Sequence, residues 1–166
     1  MKRFSTLYFV LGLVLSSCIP NNLGNVNRPF RLYVDTITAR PGTTIYVHDQ
    51  ADPGFFKVSL GGITEAQRQA ARVGQTLSSN NVSEVFISDA KAPSGWIIDL
   101  ESKRGVREIT AVSGPRPDVS FTSYIDLVFS IRIPANVAPG VYTAEASVST
   151  LEGQTKVLPM RIEIIP

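Results

Sequence analysis

The segment that decides the fold is GVYTAEASVST at residues 140–150, which is followed by LEGQ and then by TKVLPMRIEII at residues 155–165. Both long segments are rich in aliphatic and β-branched residues, and the short connection between them contains a glycine. Two such runs joined by a glycine-containing loop are typical of a β-hairpin. Pro159 in the second run cannot donate a hydrogen bond to a neighbouring strand, so we predict an edge position or a bulge there.

The first strand of this hairpin begins with a turn and then alternates. Pro139 fixes its own φ and Gly140 permits a sharp reversal, so a strand can start immediately after them. Every second residue then lies on one face of the strand. The residues on that face are Tyr142, Ala144, Ala146 and Val148. We expect Tyr142 to bury its ring and to hydrogen-bond its hydroxyl to a loop, so that these residues mainly hold the fold.

Runs of the same kind occupy most of the chain before the hairpin, separated by turns rich in Pro, Gly and Asn. They are FRLYVDTIT (30–38), TTIYVHDQ (43–50), FFKVSL (55–60), VSEVFISD (82–89), GWIIDLES (95–102), VREITAV (106–112) and SYIDLVFSIRI (123–133). In the first run we expect Leu32, Val34 and Ile37 to face the core. About eight or nine short strands predict a mainly β protein, an antiparallel β-sandwich that spans residues 30–166.

One segment has a helical period instead. Its apolar residues recur at intervals of three and four, at Ile63, Ala66, Ala70, Val73 and Leu77. Within it Thr64 and Gln67 have the spacing of a capping box, and Gly74 stands where a helix can end. We predict one short inserted helix at about residues 64–73, packed on the sandwich; a polar loop is the alternative.

The first seventeen residues predict a secretory signal peptide. Lys2 and Arg3 are followed by an apolar run of about a dozen residues and then by small residues. The run is shorter than the roughly 20 residues that cross a bilayer as a stable helix. A permanent transmembrane anchor is therefore the weaker interpretation.

The leader ends in Leu15, Ser16, Ser17 and Cys18, and Cys18 is the only cysteine in the chain. This order resembles the lipobox of bacterial lipoproteins. The resemblance implies that Cys18 is the lipid attachment site, that it becomes the new amino terminus and that it is usually acylated there. Two or more acyl chains hold a protein firmly on a membrane. A chance cysteine in an ordinary signal peptide is the alternative.

Residues 18–29 are predicted to be the lipidated cysteine and a flexible tether. The segment IPNNLGNVNRP after Cys18 is rich in Asn, Gly and Pro and has no periodicity. Fully extended, it reaches about 35 to 40 Å from the lipid. Ile19 follows the cysteine where the enterobacterial sorting rule places an aspartate in retained proteins, so the resemblance favours the outer membrane. We therefore predict a protein of the bacterial cell envelope whose partner is the membrane, through the lipid on Cys18.

The second half resembles a family of bacterial Ig-like domains first noted beside α-galactosidases. The matching positions are Pro93, Gly95, Trp96, Ile133, Pro134, Pro139, Gly140 and Tyr142. The resemblance covers roughly residues 30–50 and 85–166, and it implies an Ig-like sandwich that acts as an accessory module. It also implies that Trp96 is a core residue, and an exposed platform for stacking on sugars is the alternative.

Net charge and residue composition exclude several classes of function. Without Lys2 and Arg3 the remaining 14 basic and 14 acidic side chains cancel, so we predict no nucleic-acid partner. His48 is the single histidine and Cys18 is assigned to lipid, so the sequence offers no zinc or copper ligand set, and we predict no cofactor. We expect His48 to be a half-exposed strand residue, and Asp49 and Asp52 to lie in a solvated turn rather than to bind calcium.

No motif for catalysis stands out, since no nucleophile elbow is present. We therefore predict a non-catalytic binding or structural module whose partner is an envelope protein or polysaccharide. A carbohydrate-binding module is the alternative, and an enzyme with an unrecognised site is less favoured. The stiff loop SGPRPD places Arg116 between two prolines, so Arg116 is a candidate for a binding loop.

Overall fold

A computed structural model of the chain describes residues 24, 25, 27–79, 82–114 and 118–166. The protein is mainly β, with two sheets and one short helix. The strands are β1 Phe30–Arg31, β2 Ile37–Ala39, β3 Thr44–Ala51, β4 Thr76–Ser79, β5 Val85–Lys91, β6 Ile97–Ser113, β7 Asp118–Arg132, β8 Gly140–Thr150 and β9 Thr155–Ile164, and the helix is α1 Glu65–Ala70. Among the described residues, no helix is long and apolar enough to cross a membrane.

The strands form a sandwich of two sheets. Sheet 1 has the order β1-β3-β7-β6-β4, and sheet 2 has the order β2-β9-β8-β5. Neighbouring long strands are antiparallel, whereas the two shortest strands, β1 and β2, pair in parallel with β3 and β9. The predicted antiparallel sandwich is therefore correct for its body, and both sheets become mixed at the same side of the molecule.

The core lies between the sheets because alternate residues of each strand face inward. On sheet 1 these include Ile45, Val47, Leu127 and Phe129, and on sheet 2 they include Leu158, Met160 and Ile162. Each of these side chains is almost completely removed from water, and burial of one large aliphatic or aromatic side chain stabilises a fold by about 1.5–3 kcal/mol. The alternation predicted for β8 is also present, since Ala144, Ala146 and Val148 belong to the same core.

The predicted strand at residues 30–38 is two strands in different sheets. Phe30 and Arg31 pair with β3, and the chain then turns and enters sheet 2 at Ile37. Tyr33 lies in that turn with φ +67°, and the following Val34 is exposed, so the prediction that Val34 faces the core is wrong. Leu32 and Ile37 are buried, as expected.

Three other segments differ from the prediction. Residues 55–60 form no strand, although Phe56 is buried in the core. Residues 95–102 and 106–112 lie mostly within one long strand, β6, and the unpredicted β4 pairs with it around Gly105. Gly105, which lies between the two predicted strands, is a packing position, because a Cβ on it would collide with Cδ2 of Leu60.

Helix α1 begins as predicted and ends early. The hydroxyl of Thr64 accepts from the amide of Gln67 at 3.2 Å, and Oε1 of Gln67 accepts from the amide of Thr64 at 2.9 Å. The predicted apolar stripe is only partly used, because Ala66, Ala70 and Val73 are exposed. The residues that pack are at the ends of the segment, where Ile63, Ala71 and Leu77 form a small second cluster with Ile109 and Val119.

The end of the predicted tether is docked on the sandwich. The amide of Tyr46 donates to the carbonyl of Gly24 at 3.1 Å, and Gly24 is buried against the ring of Phe30. A Cβ on Gly24 would lie 2.5 Å from Cδ2 of that ring, so only glycine fits there without a shift. The part of the tether that precedes Gly24 lies outside the described residues.

Candidate functional site

Several residues singled out in the sequence meet at one corner of the sandwich. Trp96 is 8% exposed and belongs to the core, with its ring centroid 5.5 Å from that of Tyr142. The amide of Trp96 donates to the carbonyl of Pro93 at 3.1 Å, which closes a turn that contains Gly95 at φ +82°. A Cβ on Gly95 would lie 3.2 Å from the ring of Pro134, so this turn packs closely on the end of β7.

Tyr142 adds a hydrogen bond to this corner. Its hydroxyl donates to the carbonyl of Ala138 at 2.9 Å, while its ring lies half-buried beside Trp96. Pro139 and Gly140 are exposed in the connection that begins β8. At this corner the turn before Trp96 and the connection before β8 are packed on the core. The indole of Trp96 therefore has no exposed face for a ligand.

Two other candidate residues cannot be placed. Cys18 and Arg116 both lie outside the described residues. In the sequence, Arg116 falls between the end of β6 at Ser113 and the start of β7 at Asp118.

The single histidine is part of a polar row on the outer face of sheet 1. His48 is half-buried on β3, as expected, and its Nε2 is hydrogen-bonded to Oδ1 of Asp126 on β7. Arg104 of β6 contacts the other oxygen of the same carboxylate at 3.4 Å. Burial alone would raise the pKa of Asp126, but the hydrogen bond and charge of His48, together with Arg104, outweigh it and lower that pKa. The row links three strands of sheet 1.

Asp49 and Asp52, the two acidic residues considered as calcium ligands, have different structural roles. Asp49 is buried on β3, where Nζ of Lys156 donates to it at 2.8 Å, so the expectation that it lies in a solvated turn is wrong. Asp52 accepts from the amide of Gly54 at 2.8 Å and shapes the turn after β3. Among the described residues, no three metal-binding side chains of the His, Cys, Asp and Glu types come together.

A groove on the outer face of sheet 2 is a more suitable place for a ligand. It has a volume of about 690 Å³ and crosses β9 and β8 toward the end of β5. Its side chains include Tyr33, Lys91, Pro93, Glu145, Pro159 and Arg161. Ligand sites are generally concave and mainly apolar, with a few polar groups placed at their rims. The tyrosine and the two prolines form the apolar part of this groove, and we call it the Tyr33 groove.

Tyr33 is held in the groove by a strained turn. Its φ of +67° lies in the left-handed region, which costs a residue with a side chain about 1–2 kcal/mol. The residue is nonetheless 65% exposed, so little burial offsets that cost. Desolvation of the hydroxyl raises the pKa of Tyr33, and the negative charge of Asp49 raises it further. Strained residues of this kind cluster at binding sites.

The charged side chains of the groove are not all paired. Nζ of Lys91 lies 3.1 Å from Oε1 of Glu145, and this hydrogen bond raises the pKa of Lys91. Across the strand pair, Arg161 of β9 lies opposite Thr143 of β8. Within the described part of the chain, no acidic oxygen lies within 4 Å of the Arg161 guanidinium. Among the residues that the structure describes, Arg161 is therefore the positive charge of the groove without an acidic partner.

Sequence reasoning did not find this groove. Its lining comes from the turn after β1, the end of β5 and the paired strands β8 and β9. The one available signal was Pro159, because a proline in a strand indicates a position without a partner on that side. In the structure β2 pairs with β9 only at Ile162–Ile164, so the outer side of β9 at Pro159 has no partner among the described strands.

Comparison with known proteins adds little. No protein-family model matches the chain, and no curated protein matches it closely enough to count as a relative. A solved structure of a family 123 glycoside hydrolase from Clostridium perfringens is similar at a TM-score of 0.27 and 15% identity. The similarity covers 74% of this chain and 27% of that one, so this chain spans about a quarter of the other protein's length. A likeness this weak carries no argument.

Proposed function

We propose that this protein is a non-catalytic binding module, anchored by lipid in the bacterial cell envelope, and that the Tyr33 groove is its binding site. The lipoprotein and Ig-like resemblances of the sequence form part of this proposal. The function is presentation: lipid on Cys18 holds one end, and the outer face of sheet 2 meets the partner.

The observation that carries the proposal is the Tyr33 groove. An exposed aromatic ring in a strained turn has no evident use in the fold, because Tyr33 lies outside the core. The same groove contains Arg161, whose charge is not neutralised by a neighbour among the described residues. An exposed ring and a cation without an acidic partner among the described residues, both lining one groove, fit the general pattern of ligand sites, which combine aromatic surface with a few polar groups.

The position of the ionisable groups supports binding rather than catalysis. His48 is the only histidine, and it lies on sheet 1, where it is paired with Asp126. The groove lies on the outer face of the other sheet, and its one carboxylate, Glu145, is paired with Lys91. Acid–base chemistry needs a titratable group within hydrogen-bond reach of the substrate. The titratable groups of the groove are Tyr33 and Lys91, whose raised pKa values keep both side chains protonated at neutral pH, and Glu145, which is held by Lys91, so the groove is better suited to binding.

The docked tether supports a short distance between the anchor and the body. Gly24 is already fixed on β3, so the chain from Cys18 to Gly24 spans six Cα–Cα steps. At about 3.5 Å for each residue they reach about 20 Å, roughly half of the distance expected for the whole tether. A lipidated protein would therefore present its groove near the membrane surface.

The anchor is tested by growth of the producing bacterium with a radioactive fatty acid. We expect label on the wild-type protein, which should remain with the membrane fraction, and no label on Cys18→Ser. Equal labelling of both proteins would contradict attachment at Cys18. Cys18→Ser leaves the described body unchanged, so loss of label together with loss of folding, measured by circular dichroism, would also count against the proposal.

Carbohydrate binding is the second candidate function, and Tyr33 is the observation that favours it. Trp96 does not contribute, because its ring is buried against Tyr142. Tyr33 is exposed and lines the groove, so this second candidate function places the sugar-stacking surface at the turn after β1.

A further inference from the structure

We infer that the Tyr33 groove binds a saccharide that carries a carboxylate, with the sugar ring on Tyr33 and the carboxylate on Arg161. The inference rests on the proposed function, in which this groove is the binding site. It adds the chemical class of the ligand and the role of each side chain.

The apolar part of the groove includes three rings. Tyr33, which is 65% exposed as a residue, contributes an aromatic ring, and Pro93 and Pro159 contribute pyrrolidine rings on either side of β8. A pyranose has one face of C–H bonds, and it can cover such a ring while its hydroxyls point outward. The tyrosine hydroxyl then remains free to donate or accept a hydrogen bond.

The polar part of the groove has a net positive charge. Nζ of Lys91 lies 3.1 Å from Oε1 of Glu145, so these two charges neutralise each other and the positive charge of Arg161 remains. Its neighbours with negative charge lie beyond the groove: Asp35 is held by Arg31 at 3.2 Å, and Glu163 lies two residues further along β9. A guanidinium binds a carboxylate through two parallel hydrogen bonds, which fixes orientation as well as charge.

The geometry favours a saccharide over an acidic peptide. Peptides commonly bind to a sheet by adding a strand to a free edge, where main-chain groups supply the hydrogen bonds. The Tyr33 groove instead crosses β8 and β9, whose backbones are paired with each other at Thr143 and Arg161 and at Glu145 and Pro159. Pro159, at the open edge, has no amide to donate. Recognition therefore depends on side chains, through ring stacking and charged hydrogen bonds.

The test uses the full-length protein, purified in a neutral detergent, and isothermal titration calorimetry. The probes are a hexamer of galacturonic acid, the same hexamer after reduction of its carboxyl groups, and hexaglutamate. We expect the uronate to bind and to weaken as salt increases. Reduction of its carboxyl groups should raise the dissociation constant at least about tenfold, and hexaglutamate should bind no more tightly than the reduced sugar.

Variants connect the binding to the named residues. Tyr33→Ala and Arg161→Met should each weaken uronate binding at least about tenfold, while Tyr33→Phe should keep most of it. Phe121→Ala and Arg132→Met remove an exposed aromatic ring and an exposed arginine from sheet 1, and they should not change the affinity. Circular dichroism establishes that each variant is folded.

Four results would overturn the inference. One is no uronate binding by a folded wild-type protein, and another is hexaglutamate binding as tight as that of the uronate. The third is uronate binding that Tyr33→Ala and Arg161→Met leave unchanged. None of these results alters the fatty-acid labelling of Cys18, so failure of the ligand class and failure of the anchor are distinguishable. Equal loss in the sheet 1 controls would also count against the groove.

Discussion

Nζ of Lys156 on β9 donates a hydrogen bond of 2.8 Å to Oδ2 of Asp49 on β3, so a salt bridge links sheet 2 to sheet 1. The carboxylate is 6% exposed, and the lysine side chain is 30% exposed. A charge this well buried is strongly destabilising if its partner is removed, because no water can replace the partner. The pair therefore fixes how the two sheets face each other at this point.

Lys156→Met should lower the free energy of unfolding by about 2–3 kcal/mol at neutral pH, because it leaves the Asp49 carboxylate buried without a cation. Replacement of both residues, Asp49→Leu with Lys156→Met, should recover most of that loss. Urea denaturation followed by circular dichroism measures both. Lys57→Met is the matched control, since Lys57 forms an exposed pair with Glu152 at 3.8 Å and its loss should change stability by less than about 1 kcal/mol. Equal effects of the two lysine variants would contradict a special role for the buried pair.

Asp126 should make the protein sensitive to acid. Its pKa is lowered in the folded protein, because His48 and Arg104 outweigh the effect of burial. A lowered pKa contributes stability that is complete above the unfolded-state value of about 3.9 and is lost as the pH falls through the folded-state value. Asp126→Asn should therefore cost about 1 kcal/mol at pH 7 and should lose less stability than the wild type below about pH 4.

The matched control for that experiment is Asp99→Asn, which changes an exposed carboxylate on the same sheet. Its unfolding free energy should follow the wild-type pH dependence. The free energy of unfolding of wild type and of Asp126→Asn is measured by urea denaturation from pH 2 to pH 7. If it changes with pH in the same way in both proteins, the contacts of Asp126 do not stabilise its charged form.

Gly24→Ala should release the docked end of the tether. The new Cβ would lie 2.5 Å from the ring of Phe30 and 2.7 Å from the carbonyl oxygen of Tyr46, so one of them must move. Overpacking of this kind typically costs about 1–3 kcal/mol. Hydrogen exchange should show loss of protection at the amide of Tyr46, which now donates to Gly24. The matched control is Gly62→Ala, which adds a methyl group in open space and should leave the amide of Tyr46 protected. Gly153→Ala is unsuitable as a control, because Gly153 has a φ of +85° that strains any other residue.

The sequence predicted the parts of the fold that depend on local pattern. The capping box of Thr64 and Gln67 is present because both partners belong to one turn, and the strands β7, β8 and β9 follow from alternation alone. The segment FRLYVDTIT was predicted wrongly for a tertiary reason. Its alternation is that of one strand, but the chain leaves sheet 1 after Arg31 and enters sheet 2 at Ile37.

The candidate site could not be predicted for the same reason. The Tyr33 groove joins a turn near the start of the domain to Arg161 near its end, and no local spacing relates them. The left-handed φ of Tyr33 gives no signal in the sequence, because glycine is the residue that usually marks such a turn. Trp96 was the more visible aromatic residue, and the structure places it in the core.

Tyr33→Gly should separate stability from binding. Glycine adopts a left-handed φ without the strain that costs other residues about 1–2 kcal/mol. The substitution also makes the unfolded chain more flexible, which lowers the free energy of unfolding by about 0.4–1 kcal/mol. We therefore expect the free energy of unfolding to rise by about 0.5–1 kcal/mol in urea denaturation, while binding of the uronate hexamer is lost.

The matched control is Lys57→Gly, because Lys57 also has a left-handed φ, of +54°, and does not line the groove. It should gain a similar amount of stability and keep the wild-type affinity for the uronate. A Tyr33→Gly protein that unfolds more easily than the wild type would mean that the ring stabilises the fold, and the strain at Tyr33 would then have a structural explanation. A more stable protein that no longer binds would mean that the turn is strained because it presents the ring to a ligand.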